Sequence, residues 1–68
     1  MNIRVNGDNL KIDDKLNITI FLEKYLNKKE FGGIAVAKNG TIVPKSTWEN
    51  TLVEENDEIE IVHAVQGG

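Results

Sequence analysis

No cysteine occurs anywhere in the 68 residues, and there is one proline and one histidine. Without thiols the chain can form no disulfide, no thiolate metal site and no cysteine nucleophile. A single imidazole cannot build a metal cage. Aromatic residues amount to two phenylalanines, one tyrosine and one tryptophan, so any core depends on aliphatic side chains with a few large anchors. Apolar runs stay far below the roughly 18 to 20 residues that span a bilayer. The N-terminus, Met1-Asn2-Ile3-Arg4, leads into alternation, not into a signal-peptide core. These absences point to a soluble, cytoplasmic protein that is not membrane-bound.

Length sets a second limit. A chain this short makes one domain near the lower size at which an unstapled core folds, burying about 60% of its unfolded surface. It leaves no room for a deep catalytic cleft. The formal net charge is −3, and Glu54, Glu55, Asp57, Glu58 and Glu60 crowd the last third. Phosphate would be repelled there, which argues against a nucleic-acid partner. The acidic group reads first as a solvated face, and second as a means of steering a basic partner.

Apolar periodicity gives the order of elements. Met1, Ile3 and Val5 alternate with polar residues, Asn6-Gly7-Asp8-Asn9 tolerates positive φ, and Leu10-Lys11-Ile12 resumes the alternation. This predicts a β-hairpin. Ile18, Phe21, Leu22, Tyr25 and Leu26 then fall on one helical stripe. Asn17 is placed as N-cap, Lys24, Lys28 and Lys29 sit toward the negative end of the dipole, and Gly32-Gly33 is a stop. The helix is expected over about 18–29.

A second hairpin follows, with Ile34-Ala35-Val36-Ala37-Lys38 and Thr41-Ile42-Val43 joined by Asn39-Gly40 and ended by Pro44. If Lys38 faces water, Ile34 and Val36 share its face by alternation, which makes them a candidate docking patch on the outer sheet surface. Ser46-Thr47-Trp48-Glu49 fits a capping box opening one helical turn, with Trp48 as core anchor. Glu54-Glu55-Asn56-Asp57 is a polar turn. A last strand from Glu58 to His63 points Ile59 and Ile61 inward, and Val65 still reads as strand. Two hairpins, a helix and a terminal strand make an α+β roll. Strand order does not follow from the pattern, but a mixed sheet of about five strands with the last inserted beside the first would be the β-grasp arrangement.

Chemistry on the chain itself finds little support. Ser46 lacks a nucleophile elbow and is better explained as a cap, His63 is a strand-end residue that could touch a partner, and no glycine group forms a phosphate loop. The chain is therefore not expected to be an enzyme. What remains is the end, Val65-Gln66-Gly67-Gly68. At about 7% glycine usage a chain ends in Gly-Gly roughly once in two hundred. Two residues without Cβ can enter a passage too narrow for side chains. The α-carboxylate of Gly68, with an ordinary pKa of about 3.3 to 3.7, is an anion at neutral pH. It can attack the α-phosphorus of ATP once a partner and Mg²⁺ neutralise the phosphates, giving an acyl-adenylate open to sulfur or to an amine.

The string from Val36 to Trp48, then Asp57-Glu58-Ile59-Glu60-Ile61 and the Val65–Gly68 end, resembles the ThiS family of bacterial thiamine-biosynthesis sulfur carriers. The resemblance covers nearly the whole chain. Where the family has Gly-Asp before the last strand this chain has Asn56-Asp57, and asparagine tolerates the same left-handed backbone. The segment 30–33 matches least well. The resemblance implies a ubiquitin-like β-grasp domain over residues 1–65 with a flexible Gly-Gly tail at 66–68. It implies that Gly68 is adenylated by an E1-like enzyme of ThiF type using ATP and Mg²⁺, the chain itself binding no cofactor or metal. A cysteine-derived sulfur donor then makes a thiocarboxylate that serves thiazole synthase of ThiG type, and Gln66, Gly67 and Gly68 enter the partner's active site. Ile34, Val36, His63 and Val65 are the candidate docking residues. The alternatives are carriage of sulfur to molybdopterin or another pathway, and ubiquitin-like conjugation to amines.

Overall fold

The computed structural model describes residues 1–26 and 33–63. Its elements are β1 (Asn2–Val5), β2 (Asp8–Lys11), β3 (Leu16–Asn17), α1 (Ile18–Tyr25), β4 (Ile34–Lys38), β5 (Thr41–Val43), a 3₁₀ helix (Lys45–Asn50), β6 (Leu52–Val53) and β7 (Glu58–His63). Five strands form one mixed sheet in the order β2-β1-β7-β4-β5. The last strand lies in its centre, parallel to β1 and antiparallel to β4. This is the β-grasp roll expected above.

Turn chemistry fixes both hairpins. Val5 pairs with Asp8 and Lys38 with Thr41, which leaves two-residue turns at Asn6-Gly7 and Asn39-Gly40. All four residues have positive φ (51° and 86°, 51° and 85°), the geometry whose twist matches the flanking strands. The first turn is shorter than the four-residue stretch read from the sequence, since Asp8 and Asn9 already belong to β2. Asn56, at φ 66°, takes the left-handed backbone that its place before Asp57 requires.

The helix begins as expected. Asn17 is the N-cap, its Oδ1 accepting the Ile20 amide at 2.7 Å, while its Nδ2 donates to the Glu49 carbonyl. The helix ends at Tyr25 with Leu26 as C-cap, shorter than the predicted span, whose residues 27–29 lie outside the described residues. Ile18, Phe21 and Leu22 are fully buried against Ile3, Val36, Ile59 and Ile61 of the sheet, and Ile12, Trp48 and Val53 complete the core. Trp48 is 2% exposed and its Nε1 donates to the Val43 carbonyl at 2.9 Å. It is the anchor predicted.

One local expectation is corrected and one strand pair is added. Ser46 does not cap the turn at 45–50. Pro44 holds the N-cap position with no side-chain cap bond, and the Thr47 hydroxyl donates to the Pro44 carbonyl instead. The proline fixes the chain's entry and moves the helix start upstream of Ser46. The short antiparallel pair β3–β6, Leu16 with Val53 and Asn17 with Leu52, has no counterpart in the sequence pattern, because two residues carry no period.

Candidate functional site

The chain reaches its C-terminal stretch through β7, so the site is built on that strand and its two neighbours. On one side β4 pairs with β7 from Lys38 with Ile59 to Ile34 with His63. On the other side β1 contributes less. The Arg4 amide donates to the Asp57 carbonyl and the Asn6 amide to the Ile59 carbonyl, both at 2.9 Å. At Gly7 the hairpin turns away. The Asn6 side chain continues where the backbone stops: its Oδ1 accepts the Ile61 amide at 2.8 Å and its Nδ2 donates to the Ile61 carbonyl at 3.2 Å. Both main-chain groups of Ile61 are thereby paired by one side chain.

The start of β7 is fixed by a polar cluster on the inner side. Asp57 is 6% exposed. Its Oδ2 accepts the Glu54 amide at 2.7 Å, its Oδ1 accepts from Asn39 Nδ2 at 2.9 Å, and Lys38 Nζ lies 3.3 Å from Oδ2. Lys38 also donates to the Leu52 carbonyl at 2.8 Å and to Glu54 at 3.0 Å. Burial by itself would lower the Lys38 pKa. The hydrogen bonds and negative charges of Glu54 and Asp57 outweigh it, and the net shift is upward. Asp57 is thus no part of a solvated acidic face, whereas Glu54, Glu55, Glu58 and Glu60 are exposed.

This geometry reverses the sense of the docking patch read from the sequence. Ile34, Val36 and Lys38 do share one face, but it is the inner one. Val36 is fully buried and Ile34 is half-buried against the core, so Val36 offers nothing to a partner. Lys38 misleads because its charge is met by carboxylates from the 54–57 turn, not by water. The outer face carries the other parity: Ala35 opposite Val62 and Ala37 opposite Ile42, with Val62 59% and Ile42 66% exposed. Glu60 lies opposite Ala37, and Arg4 with Glu58 makes an exposed ion pair at 3.6 Å on the same face. The two alanines and the inward place of Val36 in the alternation are the sequence signal for this arrangement.

His63 is exposed at the last described position of β7, opposite Ile34. Val65, Gln66, Gly67 and Gly68 lie outside the described residues. No group of three His, Asp or Glu side chains among the described residues could hold a metal ion, and none of their helices is long and apolar enough to cross a membrane.

The ThiS family model matches residues 2–68. The crystal structure of a thiamine biosynthesis protein (ThiS) from Geobacter metallireducens superimposes with a TM-score of 0.86 at 28% identity, covering all of both chains. The solution structure of a thiamine biosynthesis protein from the same organism gives 0.79 at 28% identity, covering all of this chain and 88% of that one. Among curated proteins, an uncharacterised protein, ycf40, of Porphyra purpurea is 29% identical over 68 residues, all of this chain and 93% of the relative.

Proposed function

Because the chain belongs to the ThiS family, matched from residue 2 through the terminal Gly-Gly, we propose that it carries sulfur for thiamine thiazole formation on the α-carboxylate of Gly68. The observation that carries this reading is the extent of the family match, which includes the tail as well as the body, together with a fold that superimposes on a thiamine biosynthesis protein.

One carboxylate oxygen of Gly68 attacks the α-phosphorus of ATP in an E1-like partner of ThiF type, and the bond to pyrophosphate breaks. Mg²⁺ belongs to that partner and neutralises the phosphates. Sulfide-level sulfur from a cysteine-derived donor then attacks the acyl carbon, and AMP leaves with the electron pair of the C–O bond. The thiocarboxylate is handed to a thiazole synthase of ThiG type. In this scheme the chain is a protein co-substrate. Gln66 and Gly67 thread the narrow approach to the partner's site, glycine being used there because no Cβ obstructs the passage.

Recognition falls to the folded body. The outer face, with Val62 and Ile42 exposed beside Ala35 and Ala37, replaces Ile34 and Val36 as the apolar surface offered to the adenylating partner. Exposed Glu60 and Glu58 add charge that complements a basic rim. Intact mass spectrometry after incubation with the cognate adenylating enzyme, Mg-ATP and a cysteine-derived sulfur donor tests the proposal. The mass rises by the difference between one sulfur and one oxygen, and the gain maps to Gly68. An unchanged mass alongside enzyme that consumes ATP with another carrier sinks it.

A further inference from the structure

We propose that Asn6 is a positioning residue for the reaction at Gly68: its side chain clamps the strand that delivers the C-terminus. The inference rests on the carrier reading of Gly68. In an extended strand the amide and carbonyl of one residue point to the same side, so alternate residues of β7 face β1 and β4. Glu60 and Val62 are opposite Ala37 and Ala35 of β4, whereas Ile59 and Ile61 turn their main-chain groups toward β1. Ile59 finds the Asn6 backbone there. Ile61 finds only the Asn6 side chain, because the chain departs at Gly7.

The amide suits this place for two reasons. It supplies one acceptor and one donor, matching the amide and carbonyl of Ile61, as a residue of a neighbouring strand would. Asparagine also accepts the φ of 51° that the turn imposes at this position. Without the clamp, the end of β7 is held by β4 alone, as an edge strand would be. Val62 and His63 must then be ordered anew whenever the carboxylate is seated beside ATP. Of the outer docking face, Ile42 on β5 is untouched and Val62 lies on the loosened end, so the seating of Gly68 suffers more than docking does.

Asn6→Gly separates the clamp from the turn, since glycine takes the same positive φ and loses only the amide. Asn6→Asp keeps the backbone and the acceptor for Ile61 but not the donor. In the full chain, hydrogen exchange at the Val62 amide, which does not touch Asn6, becomes about tenfold faster in Asn6→Gly, equivalent to about 1.4 kcal/mol of local opening. Exchange at Ala37, nearer the start of the sheet ladder, stays unchanged. With the cognate adenylating enzyme, kcat for ATP–pyrophosphate exchange falls by up to about tenfold in Asn6→Gly, and KM for the carrier rises by a smaller factor. Asn6→Asp recovers part of kcat. Wild-type protection at Val62, or lost protection with unchanged kcat, overturns the inference, as does a fall in kcat no larger than the loss of folded chain. A wild-type chain that supports no pyrophosphate exchange refutes the carrier reading instead, and the Val62 exchange still decides the clamp.

Discussion

Replacing Asp57 with alanine perturbs the start of β7 more than any other change in the acidic stretch. The carboxylate serves three donors from three places in the chain: the Glu54 amide, Asn39 Nδ2 and Lys38 Nζ. With 6% of the residue exposed, the carboxylate itself is held inside the turn. A donor left alone costs about 1 to 3 kcal/mol when shielded from water, but Lys38, its side chain 20% exposed, and exposed Asn39 can turn to solvent, so the full cost of breaking a buried ion pair does not apply. The donors share one group and Lys38 keeps Glu54 and the Leu52 carbonyl, so the costs do not add. A loss of about 2 to 3 kcal/mol is expected. A 68-residue domain has on the order of 3 to 10 kcal/mol in all, so the variant sits close to its unfolding threshold. Urea unfolding followed by Trp48 fluorescence and far-ultraviolet circular dichroism reads the change. Glu54→Ala is the control: its side chain is 53% exposed, and the loss stays below about 1 kcal/mol. Equal losses for the two variants, or a loss under about 1 kcal/mol for Asp57→Ala, would show that Asp57 is solvated like its neighbours and refute the cluster.

Trp48→Ala removes the largest buried side chain and costs about 3 to 5 kcal/mol, whereas Trp48→Phe retains most of the packing and loses the bond to the Val43 carbonyl, about 1 kcal/mol; calorimetric melting separates the two, and an unchanged Tm for the alanine variant contradicts a core role. The pKa of Lys38 is raised by folding, so its charge contributes stability that is fully present below the ordinary lysine value of about 10.4 and is lost as pH rises through the higher folded value. The Tm difference between wild type and Lys38→Met is therefore constant through neutral pH and narrows only under strongly alkaline conditions. A difference that already narrows between neutrality and pH of about 9 would give the shift the wrong sign.

What could be read from the sequence was local. Asn6-Gly7 and Asn39-Gly40 dictate two-residue turns through the backbone they tolerate, and Asn17 caps α1 through an atom three residues from its target. Neither needs knowledge of the rest of the fold. Burial of the apolar stripe is legible for the same reason, with Ile18, Phe21 and Leu22 inside. The errors arise where a distant segment supplies the partner. Lys38 reads as a solvent residue until the 54–57 turn places two carboxylates over it, and with Lys38 the whole parity of β4 is inverted. Asp57 reads as one more surface acid until Asn39 and the Glu54 amide reach it. Ser46 matches a capping pattern that Pro44 pre-empts just upstream. For the candidate site, the residues named in the tail lie outside those described, while Ile42, Val62 and Asn6 become visible only through register.

The central position of β7 connects these observations to the chemistry proposed at Gly68. A terminal strand at a sheet edge is held by one ladder and frays from its end. Here the strand has β4 from Ile59 to His63 on one side, and on the other β1 followed by the Asn6 side chain. The Lys38–Asp57 cluster fixes the opposite end. Such a strand has little freedom to lend to the residues beyond it. Any ordering needed to seat the carboxylate then falls on residues C-terminal to the clamp at Ile61. Gly67 and Gly68 have more backbone entropy to lose than any other residues would, so a carrier gains from confining that cost to the shortest stretch that still reaches. The clamp at Ile61 and the absence of a Cβ in glycine are, on this reasoning, two halves of one requirement: rigidity of the strand held at Ile61 makes a glycine end usable as a substrate.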